Sequence, residues 1–178
     1  MSGTKHVTKP SDVVRLYETD PESFDYIGRG QEARTYLSPD RKFVIKDYTD
    51  VTATSDFWST HPMYLVKHAE EAMSHPEIFP KTWAFPDKRI VVMQYVKGKH
   101  PSEEAVERFG ADVYEKYHLN FDRASQNVIV TPSGKFKIVD VGGAFHSYGA
   151  PELPHLPEQL GAKMSAETFK KLARRMQA

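Results

Sequence analysis

The spacing of apolar and polar positions changes several times along this chain, and each change marks an element. From Phe24 the pattern is strand-like: Phe24–Gly28, Glu32–Leu37 and Lys42–Tyr48, with Ser38-Pro39-Asp40 turning into the third. Between about His61 and Ser74 the period lengthens. Leu65, Val66, Ala69, Ala72 and Met73 fall on one face at 100° per residue, which predicts a helix with Pro62 in its first turn. Two more strands, Lys81–Phe85 and Arg89–Val96, flank Pro86-Asp87-Lys88. A helix is then expected from Pro101 to about Tyr117, with Ser102 as N-cap, Glu103 and Glu104 in its first turn, and Val106, Phe109, Val113 and Tyr117 inward. The runs Asn127–Thr131 and Phe136–Val139 read as a hairpin joined by Thr131-Pro132-Ser133-Gly134-Lys135. Short helices are expected at Ser11–Glu18, capped by Ser11 or Asp12, and at Ser165–Met176, with Phe169, Leu172 and Met176 on one side.

This order predicts an α+β domain of two lobes. Five strands and one helix fall within about residues 21–96, helices and a hairpin follow over about 97–178, and residues 1–20 form a polar leader. A chain of 178 residues suits one domain, and 39% hydrophobic content with ten Phe, nine Tyr and two Trp supplies a core. Lys plus Arg and Asp plus Glu both count 24, so charge gives no argument for nucleic acid or an anionic membrane. A monomer is expected. Cysteine is absent, which excludes a disulfide scaffold, a thiolate zinc site and a Cys nucleophile. His61, His68 and His75 recur at seven-residue intervals and read as a helix edge rather than a metal site. The longest apolar run, Ile90–Met93, is too short to span a bilayer, and no apolar segment of a Sec-type signal opens the chain. Composition leaves two readings of the leader open, a mobile segment and a secretion signal.

Chemistry concentrates between Asp122 and Gly143. Asp122, Asn127 and Asp140 lie at the ends of the predicted hairpin, so two carboxylates and a carboxamide reach one place. Hard oxygen donors of this kind suit Mg²⁺, which takes one or two carboxylates together with substrate phosphates. Upstream, Gly28-Arg29-Gly30-Gln31-Glu32-Ala33 joins the first two strands, and glycines let backbone amides approach phosphates; taken alone, it reads first as an ordinary hairpin turn. Val44-Ile45-Lys46 places a lysine in a strand otherwise built for burial, sixteen residues after Gly30.

Together these motifs resemble the protein-kinase-like fold over roughly Phe24 to Gly143. That likeness implies a minimal α+β bilobal fold: a five-stranded antiparallel N-lobe sheet with one helix over about 21–96 and a reduced helical C-lobe over about 97–178. The resemblance implies ATP and Mg²⁺ as cofactors. Asp122 would orient the nucleophile, Asn127 and Asp140 of Asp140-Val141-Gly142 would hold metal, and Lys46 would contact the phosphates under the Gly28, Gly30 and Ala33 loop. A glutamate on the first-lobe helix would pair with Lys46. Glu70 borders the apolar face and is the choice over Glu71. Met93-Gln94-Tyr95-Val96-Lys97-Gly98 is similar to the segment linking kinase lobes, which implies adenine contacts at Gln94 and Val96. The usual His-Arg before the catalytic Asp is Asn120-Phe121, so a phosphate-receiving arginine is missing. Ala124 replaces the lysine that follows in Ser/Thr kinases, with Arg123 as its suggested substitute. Ala150-Pro151-Glu152 is either a compressed activation segment or a coincidence in a Pro-rich stretch.

The 38 residues after Asp140 are few for a full kinase C-lobe. That compactness resembles the HopBF family of bacterial type III effectors. The resemblance implies a secreted virulence kinase acting in the host cytoplasm, with a serine of the heat-shock protein 90 chaperone as acceptor. Two other classes stay open: a small-molecule phosphotransferase of the aminoglycoside-kinase type, and a pseudokinase acting by contact alone.

Overall fold

The computed structural model describes residues 8–29, 33–49 and 62–140. The expected sheet is present. It comprises β1 (Asp25–Arg29), β2 (Arg34–Leu37), β3 (Phe43–Asp47), β4 (Thr82–Phe85) and β5 (Ile90–Gln94). All neighbouring pairs are antiparallel, in the order β1-β2-β3-β5-β4. Alternation along β3 divides the lobe in two. Phe43 and Ile45 face one side, with Ile90 and Val92 of β5. Helix α1 (Pro10–Thr19) covers that side through Val13 and Val14. Val44, Lys46 and Tyr48 face the other. There α2 (Pro62–Ser74) lays Leu65, Val66 and Ala69 against Tyr48, Ala84, Val91 and Met93.

The helix expected at Ser11–Glu18 therefore belongs to the fold, and residues 10–19 are not an unpacked leader. It starts one residue earlier than expected, at Pro10, with Lys9 in the N-cap position and Asp12 in the first turn. Polar residues dominate α1, yet Val13 and Val14 supply a stripe narrow enough to escape notice in the composition.

The second lobe is built on α3 (Glu103–Tyr117) and the hairpin β6 (Val128–Val130) and β7 (Phe136–Ile138). Ser102 caps α3 as expected, its hydroxyl accepting from the Ala105 amide at 3.3 Å. His118 ends the helix in the left-handed region at φ 55°. The hairpin loop closes through Gly134 at φ 79°, the conformation glycine adopts without steric cost. Val106, Val113, Phe121, Val128 and Ile138 form the lobe's core with Ala72, Ile78 and Phe79. The end of α2 and the turn after it thus reach into the second lobe. Ile138 donates to the Ile78 carbonyl at 2.8 Å, and Lys137 Nζ donates to the Pro76 and Phe79 carbonyls at 2.5 and 3.3 Å. Burial, and then the neighbouring Lys135 charge, push Lys137 below the usual lysine range.

Two expectations on α2 need correction. Met73 is exposed, because the buried stripe runs through Leu65, His68, Ala69 and Ala72 at three- and four-residue steps. His68 is consequently buried rather than on a helix edge. The helix at Ser165–Met176 and the Ala150-Pro151-Glu152 motif lie outside the described residues.

Candidate active site

A cavity of about 910 Å³ opens between the lobes. The first-lobe sheet forms its roof, the segment after β5 its back, and the turn before β6 its floor. Lys46, Asp122, Asn127 and Asp140, drawn from three separate stretches of sequence, all line it.

The floor is organised by Asn127. Its Nδ2 donates to the Asp122 carbonyl at 3.1 Å and to Asp122 Oδ2 at 3.0 Å, while the Ala124 amide donates to Asp122 Oδ1 at 3.3 Å. Both Asn127 N–H bonds are directed to Asp122, which leaves the amide oxygen as the group able to take a cation. Asn127 is only 7% exposed, and its carbonyl accepts from the Val139 amide at 2.8 Å, so the hairpin brings Asp140 beside it. A carboxamide oxygen and a carboxylate side by side fit Mg²⁺ completed by phosphate oxygens and water. Among the described residues no group of three or more His, Cys, Asp or Glu forms a self-sufficient metal cage.

Lys46 Nζ donates to Asp140 Oδ1 at 2.6 Å, with the lysine 12% and the aspartate 41% exposed. The expected Lys46–Glu70 pair is not formed: Glu70 is exposed, outside the buried stripe of α2, and does not line the cavity. Glu71 lies 3.4 Å from His75 Nε2, also away from Lys46. The small rotation that separates "bordering" from "facing" on a helix decides this position.

Gly28 and Ala33 line the roof, and among the described residues, Gly28's own chain neighbours aside, no atom lies within 4 Å of the place where a Cβ on Gly28 would project. That opening is available to a ligand. Gly30 lies outside the described residues. At the back, the Gln94 amide donates to the Lys81 carbonyl at 2.8 Å and the Tyr95 amide to the Lys42 carbonyl at 2.7 Å. The Val96 amide has no partner among the described residues, so this segment can offer a donor to a planar heterocycle. Gln94 and Val96 both line the cavity.

Sequence reasoning missed His100. Its Nδ1 donates to the Ser125 and Val128 carbonyls at 3.1 and 2.9 Å, which fixes the tautomer and leaves Nε2 unprotonated in the neutral ring at the cavity wall. No local motif marks it, because both its partners lie more than twenty residues away. Arg123 is corrected as well. It turns from the cavity to pair with Glu107 on α3 at 2.9 Å, so it does not replace the lysine of Ser/Thr kinases. Phe121, where kinases carry arginine, is buried in the second core.

The sheet with its packed helix, the linking segment and the Asp–Asn–Asp hairpin give the described residues a bilobal, α+β protein-kinase-like fold. The sequence matches no family model and no curated protein. Among solved structures it is similar to a ternary complex of APH(2")-IIa with streptomycin and ATP, at 12% identity and a TM-score of 0.45, over 79% of this chain and 73% of that one. It is also similar to Rv3197 from Mycobacterium tuberculosis in complex with erythromycin, at 15% identity and TM-score 0.41, over 77% and 52% of the two chains. A third is WbdD with the kinase inhibitor LY294002, at 14% identity and TM-score 0.44, over 85% and 45%. The chain thus spans about half the length of the latter two.

Proposed function

We propose that this chain is a Mg²⁺-ATP-dependent phosphotransferase that moves the γ-phosphoryl group to a protein hydroxyl, serine or threonine. The observation that carries the reading is the convergence of Lys46, Asp122, Asn127 and Asp140 in one cavity that is also lined by Val96, whose backbone amide has no partner among the described residues. The Val96 amide and Gln94 backbone would hold the adenine edge, and the open face at Gly28 would admit the phosphates. Lys46 would exchange its contact with Asp140 Oδ1 for a phosphate oxygen, so that this oxygen could turn to the metal. Mg²⁺, held by Asn127 Oδ1 and Asp140, would supply charge neutralisation on the phosphates. Asp122 would accept the acceptor's proton as its oxygen bonds to the γ-phosphorus, the β–γ bridging P–O bond breaks and ADP leaves.

The protein acceptor, its identity as the heat-shock protein 90 chaperone, and delivery into a host cytoplasm by a type III system rest on the resemblance to HopBF effectors. Transfer of labelled γ-phosphate into a eukaryotic cytosolic lysate tests them, with Asp122→Ala and Asp140→Ala alongside. One dominant band at the chaperone's size, lost in both variants, is expected. Transfer only to small hydroxylated compounds would reassign the acceptor class. ATP binding without any transfer would sink the enzymatic reading.

A further inference from the structure

Helix α3 carries a glycine at a position where it is unfavourable. Gly110 is buried in the interior of Glu103–Tyr117, where glycine costs about 0.5–1 kcal/mol relative to alanine. The reason lies across the interface. A Cβ on Gly110 would stand 2.5 Å from Arg123 Nε, 2.7 Å from its Cδ and 3.0 Å from its Cζ. The arginine stem therefore crosses α3 through the gap that the missing side chain leaves. Its Nη1 then meets Glu107 Oε2 at 2.9 Å, one helical turn before Gly110 on the same face.

Phe121 grips the same helix. It is 6% exposed, and its ring packs on Phe109 with centroids 5.9 Å apart. Residues 121 and 123 thus both turn to α3, and Asp122 between them lines the cavity. Asp122 lies in a stretch with no helix or strand of its own, between the end of α3 and the 3-10 turn Ser125–Asn127.

We propose that Arg123, seated over Gly110 and tied to Glu107, is a positioning residue that fixes the carboxylate of Asp122 in the cavity. Its catalytic consequence rests on the phosphotransferase reading; its mechanical consequence does not. Reactions that depend on placement lose about a hundredfold for a displacement near 1 Å, so the consequence is measurable in turnover.

The test compares wild type with Arg123→Met, Gly110→Ala and Arg123→Lys in the full chain, using Mg²⁺-ATP as the probe. Amide hydrogen exchange over residues 119–127, ATP affinity and turnover are read separately, with ATP hydrolysis as the turnover assay. Arg123→Met and Gly110→Ala are expected to speed exchange in that segment. They should lower kcat about tenfold or more while the KM for ATP stays within about twofold, and Arg123→Lys should recover most of kcat. Unchanged exchange in Arg123→Met would overturn the proposal, and so would a rise in KM with kcat intact. Wild type that binds Mg²⁺-ATP but neither hydrolyses it nor transfers its γ-phosphate into the lysate would defeat the phosphotransferase reading; exchange would then still decide whether Arg123 holds Asp122. If Gly110→Ala fails to fold, Arg123→Met and Glu107→Gln, which changes an exposed side chain, carry the comparison.

Discussion

At the scale of single residues, Asp140 and Glu70 make opposite predictions. Asp140 pairs with Lys46 at 2.6 Å beside the Asn127 amide, so Asp140→Asn removes a charge that both a cation and the lysine use. Phosphoryl transfer should fall at least about a hundredfold, as loss of a group stabilising transition-state charge does elsewhere. The folded state should stay intact, which circular dichroism checks. Asn127→Ala should act similarly and also loosen Asp122, which loses two hydrogen bonds. Glu70→Gln should leave activity within about twofold, because Glu70 is exposed and outside the cavity, where substitutions change energies by only about 0.5 kcal/mol. A large loss in Glu70→Gln would restore the Lys46–Glu70 pair to the mechanism. The contrast also shows what was legible. Asp122, Asn127 and Asp140 sit on a short hairpin whose geometry is local, so their spacing carried the site. A helix residue's facing depends on rotation against a distant sheet, and His100 and Arg123 act through partners 16 to 28 positions away.

At the scale of elements, every strand expected in the described residues is present, and the ends moved by one or two residues where turn chemistry trimmed them. Arg89, at φ 53°, ends the turn before β5, so that strand starts at Ile90. The element least legible was α1, because its binding depends on a sheet face assembled from residues 43 to 92. Its polar link to that sheet is Tyr17, whose hydroxyl donates to Asp47 Oδ2 at 2.8 Å next to Lys46 in β3. Burial first, and then that hydrogen bond, push the Tyr17 phenol well above its usual range. A raised folded-state value means the stabilisation is complete below the ordinary phenol value near pH 10 and disappears as pH rises through the folded value. Tyr17→Phe should therefore cost about 1 kcal/mol at neutral pH, allowing for partial exposure, and flatten the loss of stability above about pH 10. Urea melts of both proteins at pH 7 and at alkaline pH check it. An alkaline slope unchanged in Tyr17→Phe would show that another group titrates.

At the scale of the whole molecule, two of the contacts between the lobes among the described residues stand beside the Lys46–Asp140 pair. One is the core contact of Ala72, Ile78 and Phe79 with Val106 and Ile138; the other is the segment after β5. That segment touches down at Lys99, which exchanges backbone hydrogen bonds with Val130 at 2.8 and 3.1 Å, forming a bridge to β6. Gly98 makes the approach possible. A Cβ there would stand 2.2 Å from the Val130 carbonyl oxygen and 2.5 Å from Ile129 Cγ2, and a ladder carbonyl cannot swing aside as a side chain can. Gly98→Ala should separate this segment from β6 and destabilise the protein by about 1–3 kcal/mol, the usual range for overpacking. Because Val96 and His100 lie two residues to either side and both line the cavity, the same substitution should weaken ATP binding, whereas Gly134→Ala on the hairpin loop should not. Gly134 also requires its positive φ, so that control loses stability without touching the cavity and separates the two effects. Equal ATP affinity in both variants would mean that the segment after β5 keeps its place without the bridge to β6, and that the core contact and the Lys46–Asp140 pair set the spacing of the lobes.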